Sequence, residues 1–334
     1  MGLFGSKNPD KLIGEGMTLA KAGKMPEAIG RLEEATRADP KHAQAWYVLG
    51  TFHSSEDNHK AAVECYANSA RNAPPSHVAM PLYNMGNSLQ AMGDIERAMA
   101  AFKMATEAAP DMADAWINYG RLLDDTGKHA EAIACYDTAL KIAPEDGMAH
   151  CNRGNSLRAL RSFREALAGY QRALEIDPGD GAARIGAAVC IGELGDAEKG
   201  VAILDSVLKR EPYPPAYFER ALLLAKLKKY EEAVASIDEA IKGGERSPAT
   251  WNNRGEFMAK LGKGAESIRS FDEALRKDGR YAPALFGKAR VLCRAKHFRE
   301  ARAVIAKYFE CSDGKDGLQE TARAIVKLCE ENGA

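Results

Sequence analysis

Asn84, Asn118 and Asn152 recur at a spacing of 34 residues, and Asn87 and Asn155 accompany the first and the last of them. A primary amide donates and accepts at once, so a row of amides suits the backbone of an extended peptide and reads little of its sequence. Arg121 and Arg158 stand close by in the chain and add guanidinium groups able to pair acidic side chains. Chemistry beyond recognition finds less support. The seven histidines (His42, His53, His59, His77, His129, His150 and His297) show no metal-ligand spacing such as HExxH. Asp124–Asp125 has the makings of a metal or acid/base pair, but no partner group is evident, and two carboxylates near a helix end read as a solvated terminus. No glycine-rich phosphate loop occurs, and the pattern calls for no cofactor, no metal and no catalytic residue.

The elements that must carry these amides are written in the spacing of small residues. Gly16, Gly50, Gly86, Gly120, Gly154, Ala188, Ala221, Gly255 and Ala289 keep a beat of about 34. Twelve residues after each comes a second small residue, from Ala28 to Ala301, and four later a large apolar or aromatic one, such as Phe102, Tyr136, Tyr170 or Phe271. Such a period means stacked repeats. Within 113–146, Trp116, Tyr119, Gly120 and Leu123 form one stripe of a first helix. Gly127 is suited to the left-handed turn that ends it. A second helix carries Ala132, Tyr136 and Ala139 and stops before Pro144. The two helices meet at Gly120 and Ala132, and Tyr136 fills the wedge beside them. A hairpin of this kind buries its apolar face only between neighbours.

This pattern of Trp, Leu, Gly and Tyr on one helix and Ala, aromatic, Ala and Pro on the next closely resembles the tetratricopeptide repeat. Trp46, Trp116 and Trp251 stand at the family's Trp position, which His150 occupies in its own repeat. Repeats are expected at 9–42, 43–76, 79–112, 113–146, 147–180, 181–213, 214–247, 248–281 and 282–315, with two extra residues near His77 and one missing near Tyr213. Arg184, Val207 and Tyr308 depart from the pattern, so helix crossings there are expected to differ. The resemblance implies an all-α fold, a right-handed α-solenoid (superhelix) of about nine hairpins. It also implies that the first helices line a concave wall. On that wall it places Tyr83, Asn84, Asn87 and Gln90, then Asp114, Ile117, Asn118 and Arg121, then Cys151, Asn152, Asn155 and Arg158, with Asn252, Asn253 and Glu256 further on. The superhelical part of the nucleocytoplasmic sugar transferase is similar in holding peptides on an asparagine ladder; only the groove is implied here. The alternative is that Asn at this position merely solvates the helix. The two-carboxylate clamp of chaperone-tail-binding members is matched by Asn87 and Asn118 alone, since Tyr83, Met148 and Asn152 replace its three cations.

Residues 1–8 are expected to be a tail, and 316–334, apolar at Leu318, Ala322, Ile325, Val326 and Cys329, a helix capping the last repeat of a single elongated domain. The opening Met1-Gly2-Leu3-Phe4-Gly5-Ser6 fits N-myristoylation of Gly2; the alternative is a tail whose Leu3 and Phe4 cover the first repeat. Lys+Arg total 46 against 47 Asp+Glu, so no bulk field draws the chain to nucleic acid, and no basic stripe marks a helical-repeat RNA binder. No apolar run is long enough to span a membrane. Seven scattered cysteines without a CxxC pair suggest thiols in a reducing compartment, hence a cytoplasmic protein. Two functions stay open. One is a non-catalytic adaptor binding a protein or extended peptide in the groove, as a component of a larger complex; the other is a self-assembling structural protein, a homo-oligomer through its end repeats or convex face, to which Phe218, Leu222 and Phe286 on the inner wall add further surfaces for another copy.

Overall fold

Each apolar stripe becomes one side of a short helix, and each glycine, proline or capping side chain between stripes becomes a turn. The computed structural model describes residues 8–312 and 317–333, so Gly2 and its lipidation motif lie outside the described residues. Among those described there are nineteen α-helices, one 3-10 turn at Pro75–His77 and no strand. They fall into two compact units divided after Pro178.

The first unit holds α1 (Pro9–Lys21), α2 (Met25–Ala38), α3 (Ala43–Ser55), α4 (His59–Asn72), α5 (Ala79–Ala91), α6 (Ile95–Ala108), α7 (Ala113–Asp125), α8 (His129–Ile142), α9 (Gly147–Ala159) and α10 (Phe163–Ile176). Consecutive helices pair as hairpins, and each hairpin packs on the next. The small residues act as the spacing predicts. A Cβ at Gly120 would lie 2.9 Å from the Tyr136 ring, and one at Gly86 2.7 Å from the Phe102 ring. Ala132 and Tyr136 are fully buried. Gly127 closes α7 with φ +77, whereas Asp57 and Arg161 hold the equivalent turns at φ 56 and 62. A side chain in that left-handed region costs roughly 1–2 kcal/mol. Trp46 and Trp116 donate their indole N–H to the carbonyls of Pro40 and Pro110 at 2.8 and 3.0 Å. His150 reproduces the bond, with Nε2 at 2.9 Å from the Pro144 carbonyl, so an imidazole replaces an indole without loss of the link.

The second unit holds α11 (Gly181–Glu193), α12 (Ala197–Leu208), α13 (Pro214–Lys226), α14 (Tyr230–Lys242), α15 (Pro248–Lys260), α16 (Gly264–Lys277), α17 (Ala282–Arg294), α18 (Phe298–Cys311) and α19 (Gln319–Glu331). Its hairpins are clasped by a repeated ion pair. Arg220 reaches Asp205, Arg254 reaches Asp238 and Lys288 reaches Asp272, each at 2.6 Å. The Ser236 and Ser270 hydroxyls accept from the same two arginines. In the first unit Arg153 and Asp137 form the same clasp. Tyr308, the departure from small residues in the last hairpin, is fully buried, its ring 5.7 Å from that of Phe286 and 5.4 Å from that of Phe309. Phe286 is therefore a core residue rather than an exposed inner-wall one, because the enlarged Tyr308 ring needs an aromatic neighbour. Phe218 and Leu222 are half-buried against the cluster around Leu224 and Ile237. Ala322, Ile325 and Cys329 of α19 share one cluster with Leu285, Leu292 and Ile305.

Candidate functional site

The asparagines sit on α5, α7 and α9, all in the first unit. Within this unit α1 with α3, α3 with α5 and α7 with α9 approach one another directly, and side-chain hydrogen bonds link α5 to α7. Spacing placed Asn84, Asn118 and Asn152 on that face but left their partners open.

Those partners are tyrosines of the preceding repeat. Asn84 Nδ2 donates to Tyr47 Oη at 3.1 Å, and Asn118 Nδ2 donates to Tyr83 Oη at 3.0 Å and to Asn87 Oδ1 at 3.3 Å. Both asparagines are half-buried, and Asn118 does more than solvate its helix: one edge of its amide ties α7 to α5. Tyr83 is itself held against the Phe102 ring, 5.8 Å away. Arg121 Nη2 donates to Gln90 Oε1 at 2.8 Å while the rest of its guanidinium is exposed. The pattern changes at Asn152, where Ile117, buried in the core, occupies the tyrosine position. The Asn152 side chain makes no hydrogen bond among the described residues. Asn155 is exposed and uses Oδ1 to accept from Tyr170 Oη at 2.7 Å, which leaves its N–H groups outward. Arg158 is half-buried and is not a free cation. The wall thus offers Oδ1 of Asn84 and Asn118 as acceptors, Asn155 N–H as donor, and Asn152 as both.

Asp124 is the residue whose role sequence reasoning missed. It is not a solvated terminus: its side chain is only 18% exposed. Oδ1 accepts from His129 Nδ1 at 2.9 Å, and Oδ2 from Tyr136 Oη at 3.1 Å and Ser156 Oγ at 2.6 Å. It joins α7, α8 and α9 behind Asn152 and Asn155, with which it lines a recess of about 240 Å³. Burial and then the Asp124 charge push the Tyr136 hydroxyl far above its ordinary range, so it stays a donor. No pattern in the sequence marks Ser156, 32 residues downstream, as a partner of Asp124; the packing of α9 on α7 brings them together.

Burial pushes the Cys135 thiol up to about 11 and the Cys65 thiol up to about 12, which keeps both protonated. Among the described residues no group of three His, Cys, Asp or Glu could hold a metal ion, and no helix is long and apolar enough to cross a membrane.

Tetratricopeptide repeat models match residues 13–77, 83–147, 192–249 and 259–315, and a second such model matches 148–180. A Hordeum vulgare protein named as the probable UDP-N-acetylglucosamine–peptide N-acetylglucosaminyltransferase SPINDLY is 31% identical over 119 residues, 34% of this chain and 12% of that protein. Protein O-mannosyl-transferase TMTC1 of Mus musculus is 27% identical over 104 residues, 30% of this chain and 11% of its own length. The matches therefore span about an eighth of those relatives. Among solved structures, the APC/C hetero-tetramer Cut9-Hcn1 aligns with a TM-score of 0.61 at 15% identity, over 84% of this chain and 55% of the other. Yeast Tom70 aligns with a TM-score of 0.53 at 13% identity, over 97% and 88%. At such identities the likeness concerns the fold alone.

Proposed function

The chain belongs to the tetratricopeptide repeat family, and from that premise we propose that it is a non-catalytic adaptor that holds an extended peptide segment of a partner protein against the first unit. The observation that carries this reading is the wall of Tyr47, Tyr83, Asn84, Asn87, Asn118, Asn152 and Asn155, in which inter-repeat bonds fix one edge of each of two amides and leave the other edge open. Amides immobilised in advance lose little rotamer freedom on binding, so their hydrogen bonds to a peptide backbone are not spent on ordering the receptor. Arg121 lies toward the C-terminal end of α7 with most of its guanidinium exposed and suits acidic groups on the ligand, whereas Arg158, expected from the spacing to do the same, is already engaged within the fold. The transferase relatives match over repeat segments only, so their chemistry is not carried over. Free thiols, six of seven buried, suit a reducing, cytoplasmic setting. Self-assembly through the inner wall of the second unit is weakened as a reading, because Phe286 is in the core.

Selection from a random dodecapeptide display library on the full chain tests the proposal. Enriched peptides are expected to bind Asn152→Ala and Arg121→Ala variants about tenfold more weakly in combination, as two lost bonds of ~0.5–1.5 kcal/mol imply. Peptides that bind those variants unchanged, yet lose binding when exposed residues of α4, α6 and α8 are altered, would move the function to the outer helices.

A further inference from the structure

A second cavity of the first unit opens beside the amide wall. It has a volume of about 850 Å³ and lies where the N-terminal ends of α3, α5 and α7 meet the C-terminal ends of α4 and α6. Its origin is legible. The two extra residues of the Pro74–His77 segment add a 3-10 turn between α4 and α5, and the facing side chains there are alanines, such as Ala73. The walls are largely apolar: Tyr47, Met80 and Met112 line them, and Met80 is 49% exposed with nothing covering it.

Two observations define what fits. The first is charge. Asp111 and Asp114 are exposed on the rim, neither carries a hydrogen bond or ion pair among the described residues, and no Lys or Arg lines the cavity. The α7 N-terminus beside Asp114 stabilises its charge but leaves the carboxylate oxygens available. The second is continuity. Tyr47 turns its ring to the cavity, and its hydroxyl accepts from Asn84, so cavity and amide wall share one side chain.

We infer that this cavity is the anchor subsite of the same peptide site: it takes one bulky apolar side chain of the partner segment, with a Lys or Arg about one to three residues away over Asp111 and Asp114. That spacing follows from an extended rise of about 3.3 Å per residue and from the position of both aspartates on the lining of the cavity itself. The inference rests on the peptide-binding reading and deepens it by giving the ligand a direction. Apolar and basic residues lie at the α5 and α7 N-termini, and acidic ones further along, toward Arg121.

The test uses a peptide too short to span the amide wall, so its failure is separate from failure of the dodecapeptide selection. Acetyl-Gly-Leu-Gly-Lys-Gly-amide is titrated into the full ¹⁵N-labelled chain and followed by amide chemical shifts. The expected result is saturable shifts at Ala43, Ala79, Met80 and Ala113, absent when the peptide's Leu is replaced by Ser. Replacing its Lys by Glu should weaken binding about fivefold, the scale of an exposed ion pair gained or lost. In an Asp111→Asn, Asp114→Asn protein that difference should vanish while the Leu dependence remains. Both positions are exposed, so this variant keeps the fold; Ala73→Phe, which fills the cavity, should abolish the shifts. Equal binding of the Lys and Glu peptides, shifts centred on α9, or no saturable shift at all would overturn the anchor subsite. The amide wall would then stand or fall on its own selection.

Discussion

Asn118→Ala and Asn152→Ala remove the same atoms from the same repeat position, and the structure separates their consequences. Asn118 Nδ2 makes two bonds, to Tyr83 Oη and Asn87 Oδ1, both on the neighbouring hairpin. A net hydrogen bond is worth about 0.5–1.5 kcal/mol, and the half-buried partners can recruit water, so the lower part of that range applies to each. Asn118→Ala should therefore cost about 1 kcal/mol of stability. Asn152 loses no internal bond and should change stability by less than about 0.5 kcal/mol. Both should weaken peptide binding by a similar factor of about 2–10 per lost bond. Urea unfolding gives the stabilities. Because stacked repeats need not unfold in one step, hydrogen exchange in α5 and α7 locates the loss. A double-mutant cycle with Tyr83→Phe isolates the contact and should return a coupling of at least about 0.5 kcal/mol. Equal destabilisation by the two alanine variants, or zero coupling to Tyr83, would refute the claim that inter-repeat bonds pre-set this wall.

Four further outcomes are expected. Gly120→Leu should destabilise the first unit by at least ~1–3 kcal/mol in urea unfolding, since even a Cβ would stand 2.9 Å from a Tyr136 ring whose hydroxyl is tied to Asp124. Asp124→Ala should cost about 2 kcal/mol or more by the same measurement, because it strips three donors of their acceptor, and Asp124→Asn, which keeps one carbonyl, should cost less. Deleting residues 319–334 should uncover Leu285, Leu292 and Ile305 and lower hydrogen-exchange protection in α17 and α18; unchanged protection would show that α19 contributes nothing to them. The Cys65 thiol moves from 9.0 to about 12 on folding, so the unfolded chain releases its proton first and stability should fall as pH rises above about 9. Unfolding midpoints at pH 8 and 10 should differ less in a Cys65→Ala variant.

Most of the fold is local arithmetic. The distance from Gly120 to Ala132 and Tyr136 is a hairpin's own length, the partners lie in one unit, and burial leaves few solutions for a small residue facing a large one. Letter order was therefore enough to place the helices of that hairpin, the turn at Gly127 and the aromatic wedge. It also placed His150 in an indole's position, although not the bond to Pro144 that keeps the link. The face carrying Asn84, Asn118 and Asn152 was equally legible, because residues at one repeat position share one direction. What their amides bind was not. Asn84 meets a tyrosine 37 residues earlier and Asn118 one 35 residues earlier, while Asn152 meets none because Ile117 stands there instead. Those outcomes depend on rotamers and on the spacing of stacked hairpins to within a hydrogen bond's length, which periodicity does not encode. The same holds for Asp124, made a three-way acceptor by a serine on the next hairpin, and for Phe286, drawn into the core by Tyr308. The cavity beside Met80 is the extreme case: two extra residues were visible near His77, but the space they open exists only once three hairpins are packed around them.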